Sequence, residues 1–156
     1  MTMAAHEEYM RLALAEASAA FHAGEVPVGA VLVRDGQVIC SAHNLREALG
    51  DPTAHAELLC MREGARITGD WRLRGCTLYV TLEPCPMCAG AMTQCQLEAC
   101  VYGADDSRMG CCGSVYDLPQ DPALGGGTRW QGGVLASECS ALLSRFFASL
   151  RKDQTT

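Results

Sequence analysis

The feature that most limits the fold is a β-α-β succession in the middle of the chain. Two short runs rich in β-formers, "CTLYVTL" (Cys76–Leu82) and "ACVYGA" (Ala99–Ala104), are predicted as buried strands. The segment between them, "CPMCAGAMTQC" (residues 85–95), is predicted as a helix. Strands joined in this way run parallel in one sheet through a right-handed crossover, so the chain must pack helices against a sheet.

Periodicity and turn residues predict the elements before this unit. Apolar residues recur with helical spacing from Met10 to Phe21, which indicates an N-terminal helix. The stretch "VGAVLVRDGQVICSA" holds two β-rich runs around Asp35-Gly36, a strong signal for a β-hairpin. A further helix is predicted to begin at Asp51-Pro52-Thr53, with the proline in its first turn, and to reach about Arg66.

The C-terminal third is predicted to hold loops and a closing helix. Residues 105–114 and 119–128 are rich in glycine and acids and are predicted as loops, and residues 137–150 as a helix. We therefore expect residues 1–156 to form a single α/β domain with a mixed sheet between helical layers.

Composition excludes several classes of protein. A chain of 156 residues can remove roughly 70% of its unfolded surface from water and build one core. No apolar run approaches the roughly 20 residues that span a bilayer. The N-terminal segment carries acids before its first arginine and keeps a helical period, unlike a signal peptide. We predict a cytoplasmic protein with no membrane partner.

The ten cysteines are expected to be reduced, because a chain of this size in a reducing compartment needs no disulfides. Adjacent Cys111 and Cys112 favour neither a relaxed disulfide nor chelation of one metal ion. Only Cys85 and Cys88 have the spacing of metal ligands. Six others stand singly among apolar residues and are predicted to be small hydrophobic side chains: Cys40, Cys60, Cys76, Cys95, Cys100 and Cys139.

Cys85 and Cys88 are expected to bind zinc together with His55. Cys85 lies at a strand end and a helix start, where backbone N–H groups favour a thiolate, and Cys88 follows one turn later. Two thiolates leave two of the four tetrahedral positions open, and His55 of "TAHAELL" would fill the third. A set of three protein ligands leaves one position for water, which is typical of catalytic zinc.

Glu57 is predicted to carry protons and not to bind the metal. Residues two apart on a helix are rotated by about 200°, so His55 and Glu57 should diverge. They converge only if the metal lies beyond the start of the helix, with His55 in the first turn. Both pairs of residues would then come from helix starts above strand ends, where open α/β sheets place their sites.

These motifs carry a resemblance to a known family. His-x-Glu with Pro-Cys-x-x-Cys is the signature of zinc nucleobase deaminases, and the chain resembles the bacterial tRNA-specific adenosine deaminases of the cytidine deaminase superfamily. The resemblance includes five stretches: "EVPVGAVLV", "DPTAHAE", "TLYVTLEPCPMCAGAM", "VYGADDSRMGCCGS" and "GVLASECSALLSRFF". It implies a three-layer α/β/α fold with a central sheet of about five strands, a Zn²⁺ cofactor and a homodimer.

The resemblance also implies an activity and further site residues. Its substrate would be a tRNA anticodon stem-loop, in which the wobble adenosine of an arginine tRNA becomes inosine through attack of zinc-activated water at C6, with Glu57 as the proton shuttle. Asn44 would bind the flipped base, Val28 would form the pocket wall, and Asp106 would contact the substrate backbone. The backbone of Ala56 would lie near the site.

Two alternatives remain open. A free-base deaminase of the guanine type would share the zinc motifs, although "GADDSRMGCCGS" and "ECSALLSRFF" resemble the tRNA enzymes. A non-enzymatic zinc module would fill the open position with His43 or another cysteine. The net charge of −6 opposes nucleic-acid binding unless basic residues gather on one face. The arginines considered for such a face are Arg62, Arg66, Arg72, Arg74, Arg108, Arg145 and Arg151.

Overall fold

The computed structural model describes residues 1–154, which form a sheet of five strands with helices on both faces. The strands are β1 (Gly29–Arg34), β2 (Gln37–His43), β3 (Cys76–Leu82), β4 (Ala99–Ala104) and β5 (Arg129–Gln131). The α-helices are α1 (Met3–His22), α2 (Arg46–Leu49), α3 (Ala56–Thr68), α4 (Pro86–Gln94) and α5 (Ala136–Gln154), and Pro122–Leu124 form a 3-10 turn. The predicted three-layer α/β/α arrangement is confirmed.

The sheet is mixed, with the strand order β2-β1-β3-β4-β5. Strand β1 pairs antiparallel with both β2 and β3, while β3, β4 and β5 run parallel. The predicted hairpin and the parallel β3-α4-β4 unit are therefore confirmed. Because Leu82 pairs with Ala104, β3 and β4 end side by side, and the segments that follow them leave the sheet at the same edge.

The two faces of the sheet bury separate apolar clusters. Leu78 of β3 packs in the cluster that includes Cys60 of α3. Its neighbour Tyr79 points to the opposite face and packs with Met10 of α1 and Cys139 of α5. This alternation along a strand covered on both faces explains why its sequence is continuously apolar.

Helix α3 begins later than the sequence predicted. Residues 52 and 53 lie in a turn in which the Asp51 carboxylate accepts hydrogen bonds from the backbone N–H and the hydroxyl of Thr53. The helix starts at Ala56, so His55 is the residue before the helix and not a member of its first turn. The prediction was wrong because an aspartate side chain can close a turn as readily as it can cap a helix.

Besides the 3-10 turn, which lies in a predicted loop, a short strand and a short α-helix were not predicted. Strand β5 lies at residues 129–131, and its pairing with β4 in parallel register places Trp130 opposite Cys100. Helix α2 has four residues and ends at Gly50, whose φ of 58° is left-handed. Both elements depend on contacts with distant parts of the chain, so neither has a strong local signal.

The described residues contain no helix that is both long and apolar enough to cross a membrane. The ten cysteines are free thiols, and four of the six that were predicted as small hydrophobic residues are buried: Cys60, Cys76, Cys100 and Cys139. Cys40 and Cys95 are only partly buried.

Candidate active site

The three side chains predicted as metal ligands meet where two helices begin. His55 precedes α3 with an extended backbone (φ −78°, ψ 147°), and Cys85 precedes α4 in a similar conformation (φ −75°, ψ 174°). Cys88 lies in the first turn of α4 and is fully buried. In the described chain neither His55 nor Cys85 uses its side chain to cap its own helix, which leaves both available to the site.

The spacing of these side chains suits a tetrahedral zinc ion. The Nδ1 atom of His55 lies 3.6 Å from the Sγ atom of Cys85 and 3.6 Å from that of Cys88. Bond lengths of about 2.1 Å to nitrogen and 2.3 Å to sulfur place tetrahedral N and S ligands about 3.6 Å apart. All three ligand atoms lie within 4.8 Å of one another. The donor set is therefore of the right kind and size for Zn²⁺.

Hydrogen bonds within the cluster stabilise a thiolate. The bond from Cys88 lowers the pKa of Cys85 to about 4, and the bond from His55 acts in the same direction. The bond to Cys85 raises the pKa of His55. Cys88 donates the proton, which raises its own pKa, and burial adds to this effect. A cation that takes both sulfurs as thiolates must displace that proton, so metal affinity will increase with pH.

Glu57 lies beside the cluster but outside it. It is in the first turn of α3, and only 4% of it is exposed. Burial raises the pKa of its carboxyl to about 7. A carboxyl with a pKa near neutrality can both take up and release a proton. Glu57 is not a member of the cluster of possible metal ligands, and its role as a proton carrier stays a prediction.

Asn44 connects the end of β2 to the start of α3. Its Oδ1 accepts a hydrogen bond from the backbone N–H of Ala56 (2.8 Å), and its Nδ2 donates to the carbonyl of Val26 (3.1 Å). The side chain therefore caps α3 from outside the helix, because Ala56 is its first residue. A carboxamide nitrogen carries two hydrogens, so Asn44 retains one further donor, and it lines the cleft beside the cluster.

The cluster opens into a cleft with a volume of about 860 Å³. His55, Glu57 and Cys85 line one part of the cleft, with Val28 and Asn44 beside them. Its apolar lining includes Val26, Leu82, Leu143 and Phe147, of which the last two belong to α5. Asp106, Arg108 and Met109 belong to the loop that follows β4 and form another wall. The structure thus brings together the predicted ligands with Glu57, Asn44, Val28 and Asp106. The backbone N–H of Ala56 donates a hydrogen bond to the Asn44 side chain and so fixes its position at the cleft.

The Asp106 side chain is engaged by its own loop. Its Oδ1 accepts hydrogen bonds from the backbone N–H groups of Arg108 (3.0 Å) and Met109 (3.1 Å). Its backbone N–H donates to the carboxylate of Glu83 at 3.0 Å. Asp106 therefore shapes the wall on which it lies, in addition to facing the cleft.

Several residues of the cleft were missed by the sequence analysis. Arg46 reaches the cleft from α2, whose backbone N–H groups at Glu47 and Ala48 donate to the buried carboxylate of Glu25. Glu83 lies between the end of β3 and Cys85 and is 2% exposed. Both glutamates lie in stretches that carry the resemblance, but neither has a signal of metal binding or proton transfer, so only the contacts that form on folding reveal what they bind.

The seven arginines considered for a basic face do not form one cluster at the cleft. Of the seven considered, Arg108 lines the cleft. Arg66 pairs with Glu63 and Arg72 with Asp70, both on the surface. Exposed pairs of this kind contribute little to stability, and their arginines are already partly neutralised.

Within residues 1–154 the metal-binding cluster has three members, and His43 is not one of them. The Nδ1 of His43 instead hydrogen-bonds to the carbonyl of Asn44 at 3.0 Å. A cluster of three favours the catalytic interpretation over the four-ligand structural module.

A His/Cys/Cys cluster at two helix starts, with a buried glutamate beside it, is typical of the zinc-dependent deaminases. The zinc-binding region of cytidine and deoxycytidylate deaminases matches residues 3–104 of the chain. The chain therefore belongs to the cytidine and deoxycytidylate deaminase family, and its cofactor is Zn²⁺.

Within this family the chain is similar to proteins that act on tRNA. It is 49% identical over 150 residues to the tRNA-specific adenosine deaminase of Bacillus subtilis (strain 168), a match that covers 96% of this chain and 93% of the relative. A solved structure from a study of A-to-I editing by tRNA:A34 deaminases matches with a TM-score of 0.84 and 40% identity. That match covers 86% of this chain and 98% of the other. The predicted resemblance is confirmed.

A guanine deaminase from Bacillus subtilis matches over a smaller part of the chain. Its TM-score is 0.62 with 38% identity, and the match covers 64% of each chain. The match to the tRNA:A34 deaminase structure covers 86% of the chain and therefore extends over about a fifth more of it.

Proposed function

We propose that the protein converts adenosine to inosine by hydrolytic deamination at the wobble position of a tRNA anticodon. The observation that carries this proposal is the similarity to a tRNA-specific adenosine deaminase over 96% of the chain. The site supports it, because three zinc-binding side chains meet beside a buried glutamate. The tRNA:A34 deaminase structure matches 86% of the chain with a TM-score of 0.84, and the guanine deaminase from Bacillus subtilis matches 64% with a TM-score of 0.62, so the tRNA class is favoured.

The proposed reaction exchanges the amino group of adenine for oxygen. Water attacks C6, the bond from C6 to the exocyclic nitrogen breaks, and ammonia leaves. Lewis-acid activation of the water is the chemistry that zinc supplies when held by His55, Cys85 and Cys88. Glu57 accepts the proton that the water loses and delivers it to the departing nitrogen. Its raised pKa suits both transfers near neutral pH.

Recognition of the base is assigned to the residues around Asn44. The free hydrogen of its Nδ2 donates to an acceptor on the flipped base, while Val28 forms the apolar wall beside it. The backbone of Ala56 acts by holding Oδ1 of Asn44, which fixes the direction of the amide. A buried amide held at both ends loses little side-chain entropy when it binds a ligand.

Recognition of the polynucleotide is assigned to the rim of the cleft. Arg46 and Arg108 supply positive charge for phosphates. Asp106 contacts the sugar part of the backbone, because a carboxylate accepts a hydrogen bond from a hydroxyl group but repels phosphate. We further propose that the substrate is an arginine tRNA, and that the protein acts as a homodimer in the cytoplasm, with residues 1–156 as a single deaminase domain.

The deciding experiment compares three substrates with the zinc-loaded protein. One is an anticodon stem-loop of arginine tRNA with adenosine at the wobble position, the second is the same stem-loop with guanosine there, and the third is free guanine. We expect inosine from the first and no product from the others. Xanthine formation from free guanine at a higher rate than inosine formation would replace this proposal with the free-base deaminase. Sedimentation at micromolar concentration tests the dimer separately.

A further inference from the structure

We propose that Glu83 is a positioning residue whose buried carboxylate sets the shape of the cleft loop, residues 105–114, and through it the affinity for the polynucleotide. This inference rests on the proposed function and adds a determinant of substrate binding that lies outside the metal site. Glu83 precedes Cys85 by two residues, yet its carboxylate is directed to the cleft loop and not to the cluster.

The Glu83 carboxylate accepts four hydrogen bonds from the cleft loop within the described residues. Oε1 accepts from the backbone N–H of Asp106 (3.0 Å) and the hydroxyl of Ser114 (2.5 Å). Oε2 accepts from the backbone N–H groups of Cys112 (3.0 Å) and Ser114 (3.1 Å). Both ends of the loop are thus held by one side chain that is 2% exposed. A carboxylate saturated in this way has no need of a substrate contact, which separates positioning from catalysis.

The loop backbone is built to approach this carboxylate closely. A Cβ atom added to Gly110 would lie 2.4 Å from Cδ of Glu83 and 2.5 Å from its Oε1. Those distances are shorter than any normal contact, so a residue with a side chain would displace either the loop or the carboxylate. The glycine therefore permits the approach that the hydrogen bonds require.

The hydrogen bonds continue from Glu83 to the side chains that face the cleft. The Asp106 N–H is bound by Glu83, and the Asp106 Oδ1 in turn binds the N–H groups of Arg108 and Met109. All three of these loop residues line the cleft. A displacement of the Asp106 backbone would therefore move the residues assigned to the sugar and phosphate contacts. The metal ligands would keep their positions, because they lie at the starts of α3 and α4.

The Glu83→Gln substitution tests this chain of contacts at a single atom. The amide nitrogen cannot occupy the position of Oε2, where it would meet two N–H donors. It fits at the position of Oε1, because the Ser114 hydroxyl can rotate to accept from it. The Asp106 N–H then loses its acceptor while the bonds to Cys112 and Ser114 N–H remain. The substitution thus releases the end of the loop that carries Asp106.

The experiment measures kcat, KM, zinc content and amide hydrogen exchange in the zinc-loaded protein, with the adenosine stem-loop as substrate. For Glu83→Gln we expect KM to rise about tenfold, the size of one lost buried hydrogen bond, with kcat changed by less than about threefold. Zinc should stay at one per chain, and the Asp106 amide should exchange faster. Ser114→Ala removes one donor of four and should raise KM by about threefold or less.

A glycine pair supplies a second test that leaves the carboxylate in place. The Cβ atom of Gly110→Ala would meet both the Glu83 carboxylate and the carbonyl oxygen of Asp106, so it displaces the end of the loop that carries Asp106 and should raise KM as Glu83→Gln does. Gly90→Ala in α4 is the matched control, since an added Cβ there meets no atom within 4 Å, and KM should not change.

The outcomes separate this inference from the proposed function. An unchanged KM in both Glu83→Gln and Gly110→Ala overturns it. Loss of zinc from Glu83→Gln, or a fall in kcat as large as the rise in KM, also overturns it, since Glu83 would then support the metal site. If the unmodified protein forms no inosine, the proposed function fails, and the exchange rate of the Asp106 amide alone decides the positioning role.

Discussion

Two glutamates border the same cleft, and their surroundings have opposite effects on the carboxyl group. Glu57 is 4% exposed, and burial raises its pKa to about 7. Glu83 is 2% exposed, and burial also raises its pKa, but bonds from the Ser114 hydroxyl and three backbone N–H groups bring it below the usual value. The comparison teaches that the number of donors, and not the depth of burial, decides the charge state of a buried carboxyl.

The two carboxyl groups therefore have different functions in the cleft. The region around Glu57 holds a group that can exchange protons, beside ligands that bind a metal. The region around Glu83 holds a fixed charge that organises backbone. Replacing Glu57 should lower kcat more than it lowers the free energy of unfolding. Replacing Glu83 should lower the free energy of unfolding more than it lowers kcat.

The largest expected effect is on catalysis at Glu57. Glu57→Ala should lower kcat by a factor of about 10² to 10⁴, the contribution of a proton-transferring group, while zinc stays at one per chain. Metal analysis and stem-loop turnover on the same preparation give both values. Cys88→Ala is the control that should lose both zinc and activity. Zinc loss from Glu57→Ala would make the glutamate a ligand and end the distinction between the two regions.

The next effect is on stability at Glu83. Glu83→Ala leaves four loop donors without their acceptor and should lower the free energy of unfolding by roughly 2 to 4 kcal/mol. Glu57→Gln keeps the volume and removes a buried charge, so its free energy of unfolding should not fall. Urea denaturation of the zinc-loaded variants compares them directly. An equal fall in the free energy of unfolding in both variants would show that the two carboxyl groups contribute equally to stability.

A smaller effect is expected at Asn44, which lies near Glu57 but acts by hydrogen bonding. Asn44→Ala removes the contact to the base and the cap of α3. It should lower kcat/KM by about 5- to 150-fold, a loss of about 1 to 3 kcal/mol of transition-state stabilisation, equally at low and high salt. Turnover of the stem-loop at two salt concentrations measures this. A strongly salt-dependent loss would contradict a role in base recognition.

The smallest effect is expected at Arg151, near the end of α5 and outside the cleft lining. If it contacts a phosphate, Arg151→Ala should reduce the slope of log affinity against log salt by about one unit or less. Binding of the stem-loop across a salt series tests this, with Arg66→Ala as the control because Arg66 already pairs with Glu63. Identical slopes for both variants and the unmodified protein would remove the α5 end from the RNA surface.

Sequence reasoning succeeded where the signal is local. Strands β3 and β4 were predicted with their observed bounds, because continuous apolar β-formers and the intervening helix leave few alternatives. The ligands His55, Cys85 and Cys88 were predicted together because two thiolates one turn apart leave tetrahedral positions open and His55 can fill one of them. The structure places the three ligand atoms within 4.8 Å of one another, although His55 precedes α3 and does not lie in its first turn. The roles of Glu57, Asn44, Val28, Ala56 and Asp106 stay predictions.

By itself the sequence determined the α/β class through the succession of its strands and helices, and the chemistry of the metal site through the spacing of short motifs. The family followed from the resemblance over five stretches of the chain. Only the tertiary structure decided that α3 begins at Ala56, with its first N–H bound by Asn44 from twelve residues away. It also decided the partners of Glu83, whose four donors lie 23 to 31 residues further along the chain. A carboxylate shows no preference for one backbone N–H over another until folding brings particular ones within reach, so no local pattern could have identified them.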